Sequence, residues 1–251
     1  MRVHLAAVGT YQRHMWESKP LYILYSFYSH SKEEIKYSHS NHCKGYLVDS
    51  GAFSFMNSPN IKGEVNFDQY VKDYAKFLVE NKVKRYFELD IDSIVGLKQV
   101  EKYRTYLENE TGIQSIPVFH KSRGKDYFLQ MIDEYDYVSI GGIVTKEIKR
   151  SELPLLKWFI DMAHKNNTQI HGLGLTNIPM LKKLNFDSVD STSWKCGRHG
   201  VIMRFNPVTH IFDKFNFSDV CPNTRIQNSK ELTQINIKEW VKFQYWAENN
   251  L

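Results

Sequence analysis

Six short apolar runs in this chain end on residues able to attack a carbon or carry a proton, or on glycines that turn the backbone tightly. Tyr46-Leu-Val-Asp49 runs into Ser50-Gly51-Ala52-Phe53, and Phe87-Glu-Leu-Asp90 continues to Ile91-Asp92. Pro117-Val-Phe ends on His120, and Val138-Ser-Ile ends on Gly141-Gly142. Ile170-His171 ends on Gly172-Leu-Gly174, and Asp187-Ser-Val ends on Asp190-Ser191. Carboxylates serve as nucleophiles or as general acids and bases, and histidine carries protons near neutral pH. Each type also has a plain structural use: an aspartate after an apolar run caps a helix or forms a turn, paired glycines make a tight turn, and a lone histidine is often a hydrogen-bonded core residue. Their coincidence at equivalent positions favours chemistry.

Basic residues follow two of these ends directly. His120 opens HKSRGK, with Lys121, Arg123 and Lys125, and Asp190 precedes WKCGRH, with Lys195, Arg198 and His199. Solvated loops look like this too. Positive charge beside clustered carboxylates nevertheless suits a substrate with phosphates on both sides of a reacting sugar.

Such residues need a frame that brings strand ends together. Strand-length runs lie at Arg2–Val8, Leu21–Phe27, Tyr46–Val48, Arg85–Leu89, Ile116–Phe119, Tyr137–Ile140, Gln169–Gly172 and Phe186–Val189. Between most of the later ones lie helical patterns. The clearest is Phe67–Glu80, capped by Asn66, with Phe67, Tyr70, Val71, Tyr74, Phe77 and Leu78 on one face. Another runs from Pro154 to His164, with proline in the first turn and Leu155, Leu156, Phe159, Ile160 and Ala163 as the stripe. Helices also fit Leu97–Glu108, Lys125–Glu134, Pro179–Lys183 and Ile237–Glu248. Strands alternating with helices predict an α/β protein, a single (β/α)8 TIM-type barrel spanning residues 1–251. An open doubly wound sheet shares the alternation, but no GxGxxG or phosphate-loop spacing follows any strand. Active groups of a barrel sit at the carboxyl ends of its strands, so the six run ends would share one mouth.

The 251 residues are 42% hydrophobic and 14% aromatic, enough for a full core and too apolar for a disordered chain. A net charge of +5, from 33 basic and 28 acidic residues, is compatible with a polyanionic partner without requiring one. Cys43, Cys196 and Cys221 are far apart and odd in number, which fits neither a disulfide framework nor a chelating zinc motif. Reduced, cytoplasmic thiols are the expectation. The amino terminus has no long apolar leader segment, and no apolar stretch is long enough to span a membrane.

In their order along the chain these motifs resemble the tRNA-guanine transglycosylase superfamily. Ala6-Ala-Val-Gly-Thr10 is similar to the family's first-strand segment, and Asp49-Ser-Gly-Ala-Phe53 to its Asp-Ser-Gly-Gly-Phe/Tyr motif, the most specific match. Ser139-Ile-Gly-Gly-Ile143 resembles the Ile-Gly-Gly-Leu base-binding segment. His171-Gly-Leu-Gly174 resembles Met-Gly-Val-Gly, and Phe186-Asp-Ser-Val-Asp190 the strand that carries the nucleophile. The resemblance implies Asp190 as nucleophile and Asp49 as general acid and base. It implies Asp90 as the reader of the guanine N1 and N2 edge, Gly142 backbone as the reader of O6, and Phe53 as the stacking ring. Ser50, Gly51, His120, Gly141, His171 and Gly172 would complete the base pocket. Lys121, Arg123, Lys195 and Arg198 would meet the nucleic-acid backbone. Asp187, three residues before Asp190, is the alternative nucleophile if the register slips.

The chain departs from the family in ways that carry meaning. The family's zinc element, three cysteines and a histidine, is absent, and His120 stands where a glutamine is usual. These losses, and the Val189-Asp-Ser-Thr-Ser-Trp194 run, resemble the phage and genomic-island branch that modifies DNA. The expected reaction replaces guanine in nucleic acid, DNA before tRNA, with a free 7-deazaguanine base. It proceeds through a covalent aspartyl-glycosyl intermediate and uses no metal or other cofactor. The expected compartment is the cytoplasm, the host's if a phage encodes the chain. Alternatives are a tRNA enzyme, a non-catalytic nucleic-acid-binding subunit of the same fold, and an unrelated barrel enzyme acting on a small sugar phosphate.

Overall fold

Short runs of β-branched and aromatic residues, apolar on both sides, make strands buried on both faces. The structure is a computed structural model that describes residues 1–52, 54, 65–145, 147–175, 177–220 and 229–251. Seven strands, β1 (Arg2–Ala6), β2 (Leu21–Ser26), β3 (Cys43–Asp49), β4 (Val118–Phe119), β5 (Tyr137–Ile140), β6 (Gln169–Gly172) and β7 (Ser188–Ser191), form one sheet in the order β3-β2-β1-β7-β6-β5-β4. All pairings in it are parallel, with His4 opposite Asp190 and Ser26 opposite Asp49. The sheet curls into a half-barrel flanked by helices.

The eighth expected strand, Arg85–Leu89, does not join as a regular strand. Tyr86 bridges to Val48 and Phe87 to Ile116, one isolated parallel bridge on each side. Ile116 N–H donates to Tyr86 O and Glu88 N–H to Ile116 O, so the next rung would run from Val118 N–H to the Glu88 carbonyl. Val118 N–H instead donates to the Glu88 side chain, Oε1, at 2.8 Å. A buried carboxylate replaces the backbone acceptor, and the ladder stops there.

Alternation divides the strand residues between two cores. Val3, Leu5, Ile23, Tyr25, Val48, Val138, Ile140, Ile170 and Val189 pack outward under the helices. Ala6, Leu24, Leu47, Phe87, Ile116 and Val118 form a separate inner cluster.

The connecting helices are α1 (Gln12–Glu17), α2 (Lys32–Ser38), α3 (Phe67–Glu80), α4 (Asp92–Val95), α5 (Leu97–Thr111), α6 (Lys125–Glu134), α7 (Leu156–Lys165) and α8 (Ile178–Leu181). Helices α3 and α6 have the expected bounds, and the Asn66 side chain caps α3 by accepting from Gln69 N–H at 3.0 Å. Helix α7 starts later than expected. Pro154 lies in a preceding 3₁₀ segment, Arg150–Leu155, and Leu155 is exposed rather than part of the apolar stripe. After β7 come a 3₁₀ segment, Ser193–His199, an antiparallel hairpin, β8 (Val201–Phe205) and β9 (Phe212–Asn216), then α9 (Phe217–Val220) and α10 (Ser229–Asn250). The hairpin was not expected from the sequence. Its Phe205 and Phe212 pack against Phe243 and Trp240 of α10.

Helix α10 covers the first strands. The buried Gln244 amide donates to Val3 O at 2.7 Å and to Tyr22 O at 3.0 Å, and the Met1 ammonium donates to Leu251 O at 3.0 Å. Among the described residues no helix is long and apolar enough to cross a membrane.

Candidate active site

Parallel strands put all their carboxyl ends on one side, and a cavity of about 250 Å³ opens there. Asp49, Asp90, His120, Gly141, Gly142 and Asp190 line it together, above an apolar floor of Ala6, Leu24, Phe87 and Val118. That volume is below the ~300–1,000 Å³ usual for drug-sized ligands, so it suits one base or one sugar rather than a dinucleotide. Polar side chains over an apolar floor also suit a planar ring whose edge needs reading.

Asp49 ends β3. Its Oδ2 accepts the N–H of Gly51 at 3.0 Å. Burial pushes its carboxyl up to about 6, the Gly51 bond pulling the other way and the charge of Asp190 adding to the rise. Gly51 makes this tight turn with φ of +89°, and a Cβ there would come within 2.5 Å of Tyr28. Ser50 is buried beside the turn, its carbonyl accepting from Tyr70 at 2.6 Å. Ser50 and Gly51 therefore shape the site without lining it. Phe53, the expected stacking ring, lies outside the described residues.

Asp190 stands on β7, on the same strand face as Ser188. Its Oδ1 accepts from Gly174 N–H at 2.7 Å and meets His171 Nε2 at 3.2 Å, while Oδ2 has no hydrogen-bond partner among the described residues. Asp187, the alternative nucleophile, precedes β7 at the amino ends of the strands. It accepts from Ile170 N–H at 2.8 Å, pairs with His164 at 3.0 Å, and does not line the cavity. The strand puts the two aspartates at opposite ends.

Asp90 is held by cations. His120 Nε2 approaches both its oxygens, at 2.9 and 2.8 Å, and Arg123 Nη2 approaches Oδ1 at 3.3 Å. His120 Nδ1 contacts Glu147 at 2.8 Å. Burial opposes charge on His120, but the bonds to Asp90 and Glu147 outweigh it and raise the ring to about 9. Both ring nitrogens thus donate to carboxylates, and His120 acts on a ligand through Asp90 rather than directly.

Arg123, expected on the nucleic-acid backbone, is a buried structural residue. Its guanidinium pairs with Glu88 at 3.1 Å, Asp90 at 3.3 Å and Asp92 at 2.9 Å, with a side chain only 2% exposed. Three carboxylates packed behind the mouth hold it there, so no phosphate reaches it. Lys121 is exposed and pairs with Glu152 at 2.6 Å. Lys195 and Arg198 sit on the 3₁₀ segment after β7, which Trp194 anchors by donating to Ala6 O at 3.1 Å. Arg198 is exposed; burial, then the charge of Arg198, lowers the Lys195 ammonium.

Two expected pocket residues lie behind the cavity. His171 is fully buried and reaches Asp190, and Gly172 packs near the Phe186 ring, with no space for a Cβ closer than 3.2 Å. Lining residues that the motifs did not single out are Glu88, Ser26, Thr145 and Thr192, while Gly174, the last glycine of the His171-Gly-Leu-Gly174 motif, lines the cavity and donates to Asp190. Glu88 had a visible signal, a carboxylate inside an apolar run; Glu147, two strands from Asp90 in sequence terms, had none. Gly142 has φ of +80°, and a Cβ on it would meet Glu147 Oε2 at 2.9 Å.

Asp90, Asp92 and His120 bring ligand atoms within 4.8 Å of one another, the one such group among the described residues. Arg123 already occupies Asp90 and Asp92, and a protonated imidazole does not ligate, so a cation there would have to displace two resident charges. Cys43 and Cys196 are free, and Cys221 lies outside the described residues. Compared with protein-family models the chain matches none. Compared with curated proteins it again matches none.

Proposed function

We propose that this chain is a base-exchange transglycosylase that replaces guanine in nucleic acid, DNA before tRNA, with a 7-deazaguanine. One observation carries the reading: Asp190, with Oδ2 unengaged, and Asp49, its carboxyl held up to about 6, face a single base-sized cavity. Two carboxyl groups in contrasting environments are what retaining exchange at a sugar carbon requires. Asp190 Oδ2 attacks C1′ as the bond to guanine N9 breaks. Asp49 gives its proton to the departing base, leaving a glycosyl ester on Asp190. The incoming 7-deazaguanine passes a proton to Asp49 and attacks C1′ from the same side, releasing Asp190 and retaining configuration. Asp90, fixed by His120 and Arg123, accepts the base's N1–H and N2–H, and the Gly142 N–H meets O6.

In this reading the curled sheet is a (β/α)8 barrel whose eighth strand is the bridged segment at 85–89. The reacting nucleotide leaves its stack to enter the cavity, a cost of a few kcal/mol offset by the base contacts. Lys195 and Arg198 meet the flanking phosphates. The preference for DNA rests on the Val189–Trp194 run and on the lack of a cysteine-rich zinc motif in the sequence.

The test is incubation with labelled guanine and either duplex DNA or tRNA. Label entering DNA, lost again on chase with a 7-deazaguanine, is the expected result. Failure of both polymers to take up label would overturn the reading.

A further inference from the structure

Beneath Asp190 a column of polar side chains runs through the interior of the sheet. Tyr137 on β5 contacts Ser188 on β7, Ser188 Oγ lies 2.6 Å from His171 Nδ1 on β6, and His171 Nε2 lies 3.2 Å from Asp190 Oδ1. His171 and Ser188 are wholly buried, and an apolar interior tolerates such groups only when each is satisfied. A carboxylate only accepts, so Nε2 must carry the proton that meets Asp190. In the neutral ring Nδ1 accepts the Ser188 O–H, and Ser188 accepts the Tyr137 O–H, leaving no donor in the column without an acceptor. The proposed exchange uses none of these three residues, yet all contacts in the column converge on one oxygen of its nucleophile.

We propose that His171 is the positioning residue of this site: backed by Ser188 and Tyr137, it clamps Asp190 Oδ1 together with the Gly174 N–H, so that Oδ2 alone is presented to the sugar. This rests on the transglycosylase reading for what Oδ2 attacks, though not for the clamp itself. Asp190 without the clamp rotates about its Cβ–Cγ bond and shares its two oxygens between productive and unproductive directions. Misplacement of a reacting atom by about 1 Å costs about 10²-fold in rate. His4, whose ring lies 5.9 Å from that of His171, is kept uncharged chiefly by burial, so it does not compete for the carboxylate.

The experiment uses the whole chain in three variants, His171→Leu, His171→Gln and Ser188→Ala, with single-turnover adduct formation on a guanine-containing oligonucleotide and a separate measure of guanine binding. His171→Leu is expected to slow adduct formation about 10²-fold while guanine affinity stays within about threefold, since the base is read elsewhere. His171→Gln, whose amide N–H can reach Asp190, is expected to recover about tenfold of that loss. Nitrogen-15 spectra of the parental histidines supply an arm that needs no activity: His171 is expected as the Nε2–H form, shifting in Ser188→Ala. Unchanged adduct formation in a folded His171→Leu, equal losses in rate and guanine affinity, or an Nδ1–H form of His171 would each overturn the clamp. A parental protein that exchanges no base but shows the Nε2–H form would refute the transglycosylase reading and leave the clamp supported.

Discussion

Asp190 receives two N–H donors on one oxygen, whereas Asp49 receives one backbone N–H and is raised chiefly by burial and also by the charge of Asp190. The second environment holds the Asp49 carboxyl up to about 6, close enough to neutral pH for proton transfer. Asp190→Asn should form no adduct and lose at least ~10⁴ in exchange, the scale of losing a nucleophile's activation. Asp49→Asn leaves the nucleophile and should lose roughly 10²–10⁴ through the missing proton transfer. Asp187→Asn, remote from the cavity, should leave exchange within about threefold in a gel assay of labelled polymer; an equal loss there would return the nucleophile question to that residue. Stability gives a second reading of Asp49. Its folded carboxyl is raised from 3.8 to about 6, so the native state binds the proton more tightly and loses stability as pH rises from about 4 to 6. Asp49→Asn should therefore stabilise the fold by about 1–3 kcal/mol at pH 8 and change it little at pH 4, as followed by thermal melts. His120 works in the other direction. With the folded ring raised from 6.5 to about 9, its contribution is full below about 6.5 and is lost as pH climbs through 9. A melt series on His120→Gln should lack that alkaline decline; persistence of the decline would assign it to another group.

At the level of elements, alternation did most of the predicting. Seven expected strands and helices α3 and α6 stand where apolar spacing put them, because each buries a face that its sequence repeats at period two or 3.6. The convergence of Asp49, Asp90, His120, Gly142 and Asp190 followed from their places at strand ends, and strand β7 separated Asp190 from Asp187 because three residues of strand span most of the sheet's height. What could not be read were side chains that substitute for backbone. Glu88 ends the ladder at Val118, an event invisible in an apolar run with one charge. Arg123 looked like a phosphate contact because its loop is basic, but its three carboxylate partners come from a segment some thirty residues earlier. The hairpin of β8 and β9 lacked a turn signal of the Asn-Gly kind between its strands. Glu88→Gln tests the element argument: it keeps an acceptor for Val118 N–H but leaves Arg104 and Arg123 short of a counter-charge in the interior. A loss of about 3–5 kcal/mol is expected in denaturant melts, and a loss below about 1 kcal/mol would show that the two arginines do not depend on it.

For the whole molecule, a surplus of five positive charges is too small to bind a polyanion by itself, so the salt dependence of binding must come from particular residues. Lys195 and Arg198 are carried on the segment anchored by Trp194, which directly follows the cavity-lining Thr192. If each neutralises one phosphate, the double variant Lys195→Gln/Arg198→Gln should flatten the slope of log Kd against log salt by about 2 on duplex DNA. The slope of Lys121→Gln should change less, because Glu152 already partners that lysine. An unchanged slope in the double variant would remove this face from the nucleic-acid path.

The seating of α10 on the first strands has a consequence in time. Gln244 meets the carbonyl of Val3 across 241 residues of chain. At a ribosomal pace of about 5–20 residues per second, β1 waits about 10–50 s for the helix that covers it. Its other neighbour, β7, arrives only somewhat sooner. Until then Val3 and Leu5 have no lid, and the strands nearest the start of the chain are the last to be completed. The nascent protein therefore passes through synthesis with its opening strands uncovered, a window in which chaperones and proteases compete for the same exposed backbone.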